Sequence, residues 1–202
     1  MLKQWIMTPQ ATWHDNRILI NSLLVTSILV GMAVIWSSIT GASAEITFGE
    51  NGPIELLQNV ACVVAIVFGV YSARRPSSLK GITAITTVYF ALVFLTRETP
   101  SCGAPEINFC VVRPTHTYVI VAATIVWLGM IAGIATSRLK DIFIAIHPRT
   151  SWPLIVVFLS LVAGQIGEEL HMMNVEETLE LFAYILLAVC AVWLATQTQR
   201  QF

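Results

Sequence analysis

Six apolar runs, each near the length of a bilayer crossing, constrain this chain more than any other feature. A transmembrane helix needs about 20 residues, within a range of about 17–25. The runs cover Ile18–Ile39, Ile54–Ala73, Ile82–Thr96, Tyr118–Thr136, Trp152–Gly167 and Leu179–Thr196. The third and fifth runs reach the full length only if the charged residues at their ends are included.

The composition indicates that the solvent for these runs is lipid. Hydrophobic residues make up 56% of the chain and charged residues 11%, whereas soluble domains carry about 25% charged residues. We therefore predict an all-α, polytopic membrane bundle of about six transmembrane helices in one domain, residues 1–202. No basic stripe with interleaved aromatic residues is present, so nucleic acid is not an expected partner.

Basic residues divide unequally between the two sides of such a bundle. Six crossings place both termini and the loops near residues 77 and 145 on one side, together with nine of the eleven basic residues. These nine are Lys3, Arg17, Arg74, Arg75, Lys80, Arg138, Lys140, Arg149 and Arg200. The positive-inside rule therefore predicts that both termini are cytoplasmic. Ten of the twelve acidic residues then lie on the outer side.

The tripeptide Ala42-Ser43-Ala44 follows the first run and resembles a signal-peptidase site. The run itself is longer than the apolar region of a signal peptide, which spans about 7–15 residues. We therefore favour an uncleaved first helix. Cleavage would leave five helices.

Charged and polar side chains converge on the outer ends of several predicted helices. Glu55 lies one turn inside the second helix, with Gln58 and Asn59 three and four residues further on. Arg97 and Glu98 end the third helix, and Glu176, Glu177 and Glu180 open the sixth. Ionisable groups at membrane depth are costly and suggest function. We predict a ligand-binding pocket formed by Glu55, Asn59, Arg97, Glu98 and Glu180.

Two interpretations of these acids stay open at this stage. Carboxylates at helix N-termini are stabilised by the helix dipole and can simply be wetted by lipid headgroups. Alternatively the acids share one pocket, in which Arg97 is the natural counter-ion, because buried charges require partners. Arg97 and Arg113 are the only basic residues on the outer side.

Glu168 and His171 form a Glu-x-x-His pair at the end of the fifth helix. On one helical face such a pair can ligate a metal, as in di-iron carboxylate bundles. Those bundles use two pairs, and this chain has one. The sequence therefore offers a divalent metal site at Glu168, His171 and Glu177 as a possibility, with zinc as acceptable as iron.

The four cysteines are of two kinds. Cys102 and Cys110 share the predicted outer loop between the third and fourth helices, which faces an oxidising space, so we predict a disulfide between them. Cys62 and Cys190 fall in the middle of helices and are expected to be packing residues.

Small residues predict close helix contacts. Gly129 and Gly133 lie four apart in the fourth helix, and Ala163, Gly164 and Gly167 lie along the fifth. Such residues let helix backbones approach closely in lipid. The contact could lie inside one bundle, or between subunits of a homo-oligomer or larger membrane complex.

Three short stretches carry a resemblance to known proteins. They are the run Glu50-Asn51-Gly52-Pro53-Ile54-Glu55, the pair Arg97-Glu98, and the run Glu176-Glu177-Thr178-Leu179-Glu180-Leu181. Together they resemble bacterial inner-membrane proteins of six helices that have no assigned function. The resemblance implies a bacterial inner (plasma) membrane and implies that the outer acids belong together. It implies no activity.

Three classes of function remain open from the sequence. The first is a small binding or accessory subunit of a membrane complex, with a ligand, ion or partner held at the outer pocket. The second is a membrane-embedded, metal-assisted hydrolase or oxidase that uses Glu55, Glu168, His171 and Glu180. The third is a proton- or ion-coupled transporter with Glu55, Arg97 and Glu180 on its path. The chain contains no phosphate loop, His-Glu-x-x-His or Gly-x-Ser-x-Gly motif.

Overall fold

The regular structure of this chain is helical, as predicted. A computed structural model describes residues 16–49, 52–74, 79–100, 102 and 111–199. Its helices are α1 (Arg17–Thr40), α2 (Ala44–Phe48), α3 (Pro53–Ser72), α4 (Leu79–Glu98), α5 (Arg113–Ile146), α6 (Pro148–Glu169) and α7 (Met173–Gln199). Within the described residues, six spans are long and apolar enough to cross a membrane, if α2 and α3 are counted as one. The all-α prediction is confirmed.

Local sequence signals explain where the first helices begin and end. Gly41 ends α1 with a φ of +70°, a left-handed conformation that glycine adopts without steric cost. Ser43 then caps α2, because its side chain accepts a hydrogen bond from the Ile46 N–H at 3.3 Å. Pro53 opens α3, where its missing N–H costs nothing. The serine of Ala42-Ser43-Ala44 therefore has a structural role as a helix cap.

The centre of the bundle is α7. It contacts α1, α3, α4 and α6, and its interface with α3 is the most extensive. Leu181, Leu186, Leu187 and Leu194 are fully buried on it. A helix that is apolar on all sides is covered by protein or by lipid, and here α7 is covered mainly by the other helices. In contrast, α5 lies at the periphery and packs mainly on α4.

Glycine allows α6 to lie close to α7. A Cβ atom on Gly164 would lie 3.6 Å from the backbone oxygen of Glu176, and one on Gly167 would lie 3.4 Å from the Glu176 nitrogen. The predicted close approach is confirmed for α6, and the contact is inside the bundle. The same prediction does not apply to α5 within this chain, because a Cβ on Gly129 or Gly133 would meet no described atom within 4 Å.

Polar and aromatic contacts hold α5 on α4. The Tyr89 ring stacks on Trp127 with their centroids 4.8 Å apart. The Tyr89 and Thr124 hydroxyls lie 3.1 Å apart, and the Trp127 indole N–H donates to the Thr86 hydroxyl at 3.3 Å. Side-chain hydrogen bonds of this type can join helices in an apolar solvent, where water does not compete for them.

The long helix α5 is broken near its end. Arg138 has a φ of −143° and a ψ of 47°, outside the helical region. The 34 residues of α5 would, at about 1.5 Å per residue, exceed a hydrocarbon core of about 30 Å. The break separates the apolar part from a terminal segment that leads into α6. The sequence predicted an end at Thr136 and missed this continuation.

Backbone hydrogen bonds join the two ends of the segment between α4 and α5. The Cys102 N–H donates to the Val111 carbonyl at 3.0 Å, and the Val111 N–H donates to the Pro100 carbonyl at 2.9 Å. Cys110 directly precedes Val111 but lies outside the described residues, so the Cys102–Cys110 disulfide stays a prediction. Cys62 and Cys190 are buried free thiols, as expected for packing residues.

Thiol labelling tests the disulfide. We expect two labelled cysteines, Cys62 and Cys190, when the unreduced protein is denatured and treated with a maleimide, and four after reduction. Mass spectrometry counts the labels. The double variant C102S/C110S is the control, with two labels under both conditions. Four labels on the unreduced wild-type protein would rule the bond out.

Candidate functional site

Polar side chains from three helices meet at the end of the bundle where α3 and α7 begin and α4 ends. The carboxylate cluster is defined here by Gln58 of α3, Arg97 and Glu98 of α4, and Glu177, Glu180 and Tyr184 of α7. Because α3 and α7 run in the same direction and α4 runs in the opposite one, the first turns of two helices lie beside the last turn of the third.

An ion pair links α4 to α7 within the carboxylate cluster. The Nη2 atom of Arg97 donates to Oε1 of Glu180 at 2.6 Å, and Nε of Arg97 lies 3.9 Å from Oε1 of Glu98. The side chain of Glu180 is 4% exposed and that of Arg97 is 46% exposed. A buried carboxylate is thus neutralised by a guanidinium that also reaches the surface. The structure places the predicted partners Arg97, Glu98 and Glu180 together.

Tyr184 forms a hydrogen bond with Glu98 from α7. Its hydroxyl donates to Oε1 of Glu98 at 2.7 Å, and its ring is fully buried and stacks on Phe94 with centroids 5.2 Å apart. Sequence reasoning missed this residue. Its position four residues after Glu180 places both on the same face of α7, which was the available signal.

Gln58 links α3 to α7. Its Nε2 donates to Oε2 of Glu177 at 2.8 Å and to the Glu177 carbonyl at 3.3 Å. Gln58 is fully buried. Its Oε1 atom, and the Oδ1 atom of the neighbouring Asn59, are buried and have no hydrogen-bond partner among the described residues.

Glu55 and Asn59 lie on the adjacent face of α3. Glu55 is partly buried and within electrostatic reach of Glu98. Of the five residues predicted for the ligand pocket, Arg97, Glu98 and Glu180 are therefore in close contact. Glu55 interacts electrostatically with Glu98 from α3, and Asn59 lies one turn further along the same face of that helix.

The structure does not bring the three predicted metal ligands together. Helix α6 ends at Glu169, and His171 follows with a left-handed φ of 56°, so Glu168 and His171 do not share a helical face. Glu168 accepts a hydrogen bond from Gln165, while Glu177 accepts one from Gln58. Over the described ranges, no three or more His, Cys, Asp or Glu side chains are grouped to hold a metal ion.

Beneath the carboxylate cluster the buried face of α7 is apolar. The buried positions of α7 that follow Tyr184 are aliphatic or carry a thiol, namely Ile185, Leu186, Leu187, Ala188, Cys190, Ala191, Leu194 and Ala195. The buried hydroxyl groups of Ser22 and Thr26 on α1 bond to carbonyls of their own helix. Within the described part of the chain, the buried charge is confined to one end of the bundle.

Comparison with protein-family models, with curated proteins and with solved structures finds no match for this chain. The chemistry of the carboxylate cluster itself is therefore the basis for interpreting the site. The carboxylate cluster contains three carboxyl groups and one guanidinium, so its acceptor atoms and negative charges outnumber its positive charge. Most of these side chains are buried or partly buried.

Proposed function

We propose that this chain is a multi-pass protein of a bacterial plasma membrane, with both termini in the cytoplasm. Six long apolar helices support the crossing of a bilayer, and the distribution of nine of eleven basic residues supports the orientation. In this orientation the carboxylate cluster lies at the outer membrane boundary.

Reporter fusions test the orientation. A reporter fused after Phe202 should show the activity of a cytoplasmic location and no outer-side activity, because the basic residues keep that side of the bundle in the cytoplasm. The same reporter inserted after Pro100, between α4 and α5, should behave as an outer-side fusion and serves as the control. Outer-side activity of the Phe202 fusion would contradict the orientation.

We propose further that the protein is a small binding or accessory subunit of a membrane complex, with the carboxylate cluster as its recognition site. The observation that carries this proposal is the Arg97–Glu180 pair with Glu98 and Tyr184. Buried ion pairs are often no more stabilising than apolar residues of similar size. A polar network of this kind, placed where it reaches the outer surface, is therefore better explained by recognition than by stability.

The other two classes of function have less support. The metal-assisted enzyme was predicted to use Glu168, His171, Glu55 and Glu180, and His171 lies past the end of α6 with a left-handed backbone. A transporter with Glu55, Arg97 and Glu180 on its path needs polar groups at greater depth. The buried positions of α7 below Tyr184 are apolar in the part of the chain that the structure describes.

Affinity purification from the native membrane tests the binding role. We expect wild-type protein, extracted in a mild detergent, to retain a specific membrane component that R97Q loses. R138Q is the matched control, because Arg138 pairs with Asp141 at 3.8 Å at the opposite end of the bundle. Quantitative mass spectrometry compares the three samples. Identical composition in all three would refute recognition through the carboxylate cluster.

A further inference from the structure

We propose that a groove between the last turns of α3 and α7 binds an anionic phospholipid, with an acyl chain in the groove and the phosphate on Arg74. This inference rests on the proposed crossing of a membrane. It is independent of recognition at the carboxylate cluster, which lies at the opposite end of the bundle.

The first observation is the groove itself, which has a volume of about 310 Å³. Val67, Phe68 and Tyr71 of α3 line it together with Ala195 and Thr196 of α7. Val67 is 58% exposed and Phe68 is 38% exposed, so the groove opens on the lateral surface of the bundle. The buried Ala195 is small, which leaves room between the two helices.

The lining of the groove suits an acyl chain. Its aliphatic and aromatic side chains make no hydrogen bonds, and the Thr196 hydroxyl already donates to the Trp193 carbonyl at 2.8 Å. A chain of methylene groups requires no hydrogen bond, and lipid tails are as apolar as leucine side chains. In a bilayer the groove is therefore open to the acyl chains that surround the bundle.

The second observation is a guanidinium held beside this groove. Arg74 follows the end of α3, and its Cζ atom lies 4.8 Å from the centroid of the Tyr71 ring, a cation–π contact. Tyr71 also lines the groove, so the contact keeps the charge next to it. At about 1.5 Å per residue, Val67 lies about 10 Å along the helix from Arg74. The apolar groove and the cation are thus separated along the bundle axis, as the chain and the phosphate of a phospholipid are.

The third observation is the charge at this end of the bundle, which favours an anionic headgroup. Within the described ranges, no carboxylate forms an ion pair with the exposed Arg74. This side of the chain carries nine basic residues and only two acidic ones, Asp15 and Asp141, and Asp141 is paired with Arg138 at 3.8 Å. Basic pockets between transmembrane helices on the cytoplasmic side bind anionic lipid headgroups. A zwitterionic headgroup brings a cation of its own and gains less from this field.

Native mass spectrometry of the purified, delipidated protein in detergent tests this, with phosphatidylglycerol and phosphatidylcholine of identical chains as probes. We expect saturable binding of phosphatidylglycerol, tighter than that of phosphatidylcholine. R74Q should lower the affinity for phosphatidylglycerol by about fivefold, the factor for one basic residue beside an anionic lipid, and leave the affinity for phosphatidylcholine unchanged. R149Q is the matched control and should leave both affinities unchanged, because Arg149 is an exposed arginine at the same end of the bundle that does not line the groove.

A second pair of variants tests the groove. V67W fills it from an exposed position and should lower the affinity for both lipids. V63W is its control, because Val63 is 48% exposed on the same helix but does not line the groove.

Each outcome decides between explanations. Equal affinity of the folded wild-type protein for the two lipids would overturn the proposal, whatever the variants do. Equal losses in R74Q and R149Q would also overturn it and assign the preference to diffuse surface charge. Binding of inorganic phosphate as tightly as phosphatidylglycerol would assign Arg74 to a soluble anion instead. R97Q should bind phosphatidylglycerol as the wild-type protein does, so failure of the carboxylate cluster as a recognition site would leave this inference standing.

Discussion

Replacing Arg97 by glutamine should lower the free energy of unfolding by about 3 kcal/mol, the lower end of the range for breaking a buried pair. The substitution leaves Glu180, whose side chain is 4% exposed, without the guanidinium that neutralises it. The lower end applies because Arg97 is 46% exposed and water already screens part of the interaction. Unfolding in mixed micelles, followed by tryptophan fluorescence, measures the change.

The matched controls for this prediction are R138Q and a double-mutant cycle. Arg138 is 51% exposed in its pair with Asp141, so R138Q should change stability by less than about 1 kcal/mol. The double variant R97Q/E180Q should lower the free energy of unfolding by less than the sum of the two single variants, because each single change leaves the other residue without its partner. Strictly additive losses would mean that Arg97 and Glu180 act independently, as separate headgroup contacts.

Replacing Gly164 by leucine should cost about 1–3 kcal/mol, the usual cost of overpacking a close contact. A Cβ at this position already lies 3.5 Å from Cγ of Glu180 and 3.6 Å from the Glu176 backbone oxygen. A leucine side chain extends beyond that point and must push α6 away from α7. The same unfolding assay applies, and G164A should be tolerated because its added atom only reaches ordinary contact distance.

Gly133 provides the control for the glycine prediction. G133L introduces the same side chain and the same gain in helix propensity, but a Cβ there meets no described atom within 4 Å. We expect G133L to be neutral or slightly stabilising. Equal destabilisation by G164L and G133L would indicate that the packing of α6 on α7 is not the cause.

The sequence was sufficient to predict the helices, because a run of apolar residues long enough to cross lipid leaves few alternatives to helix. It also predicted the meeting of Arg97, Glu98 and Glu180, since few cations were available to so many acids at that end. The extension of α5 past Thr136 was missed, because charged residues after that point mark the end of an apolar run without ending the helix.

The contacts that sequence reasoning missed depend on how helices are rotated against one another. The bond between Gln58 and Glu177 joins residues far apart in the chain, and no periodicity within α3 or α7 specifies it. The Glu168–His171 spacing is interrupted for a local reason, because α6 ends at Glu169. The backbone turns into the left-handed region at His171, and a spacing argument assumes that the helix continues.

The central position of α7 has a consequence for biosynthesis. The ribosome makes α1, α3, α4 and α6 before α7, yet α7 is the helix that all four contact. A nascent chain made only as far as α6 therefore contains Arg97 and Gln58 without their α7 partners Glu180 and Glu177. Without α7, helices α3 and α4 still pack on each other, whereas α1 and α6 lack the helix on which they mainly pack. Completion of the bundle thus waits for its last helix, and a chain interrupted before α7 lacks the residues that pair with Arg97 and Gln58.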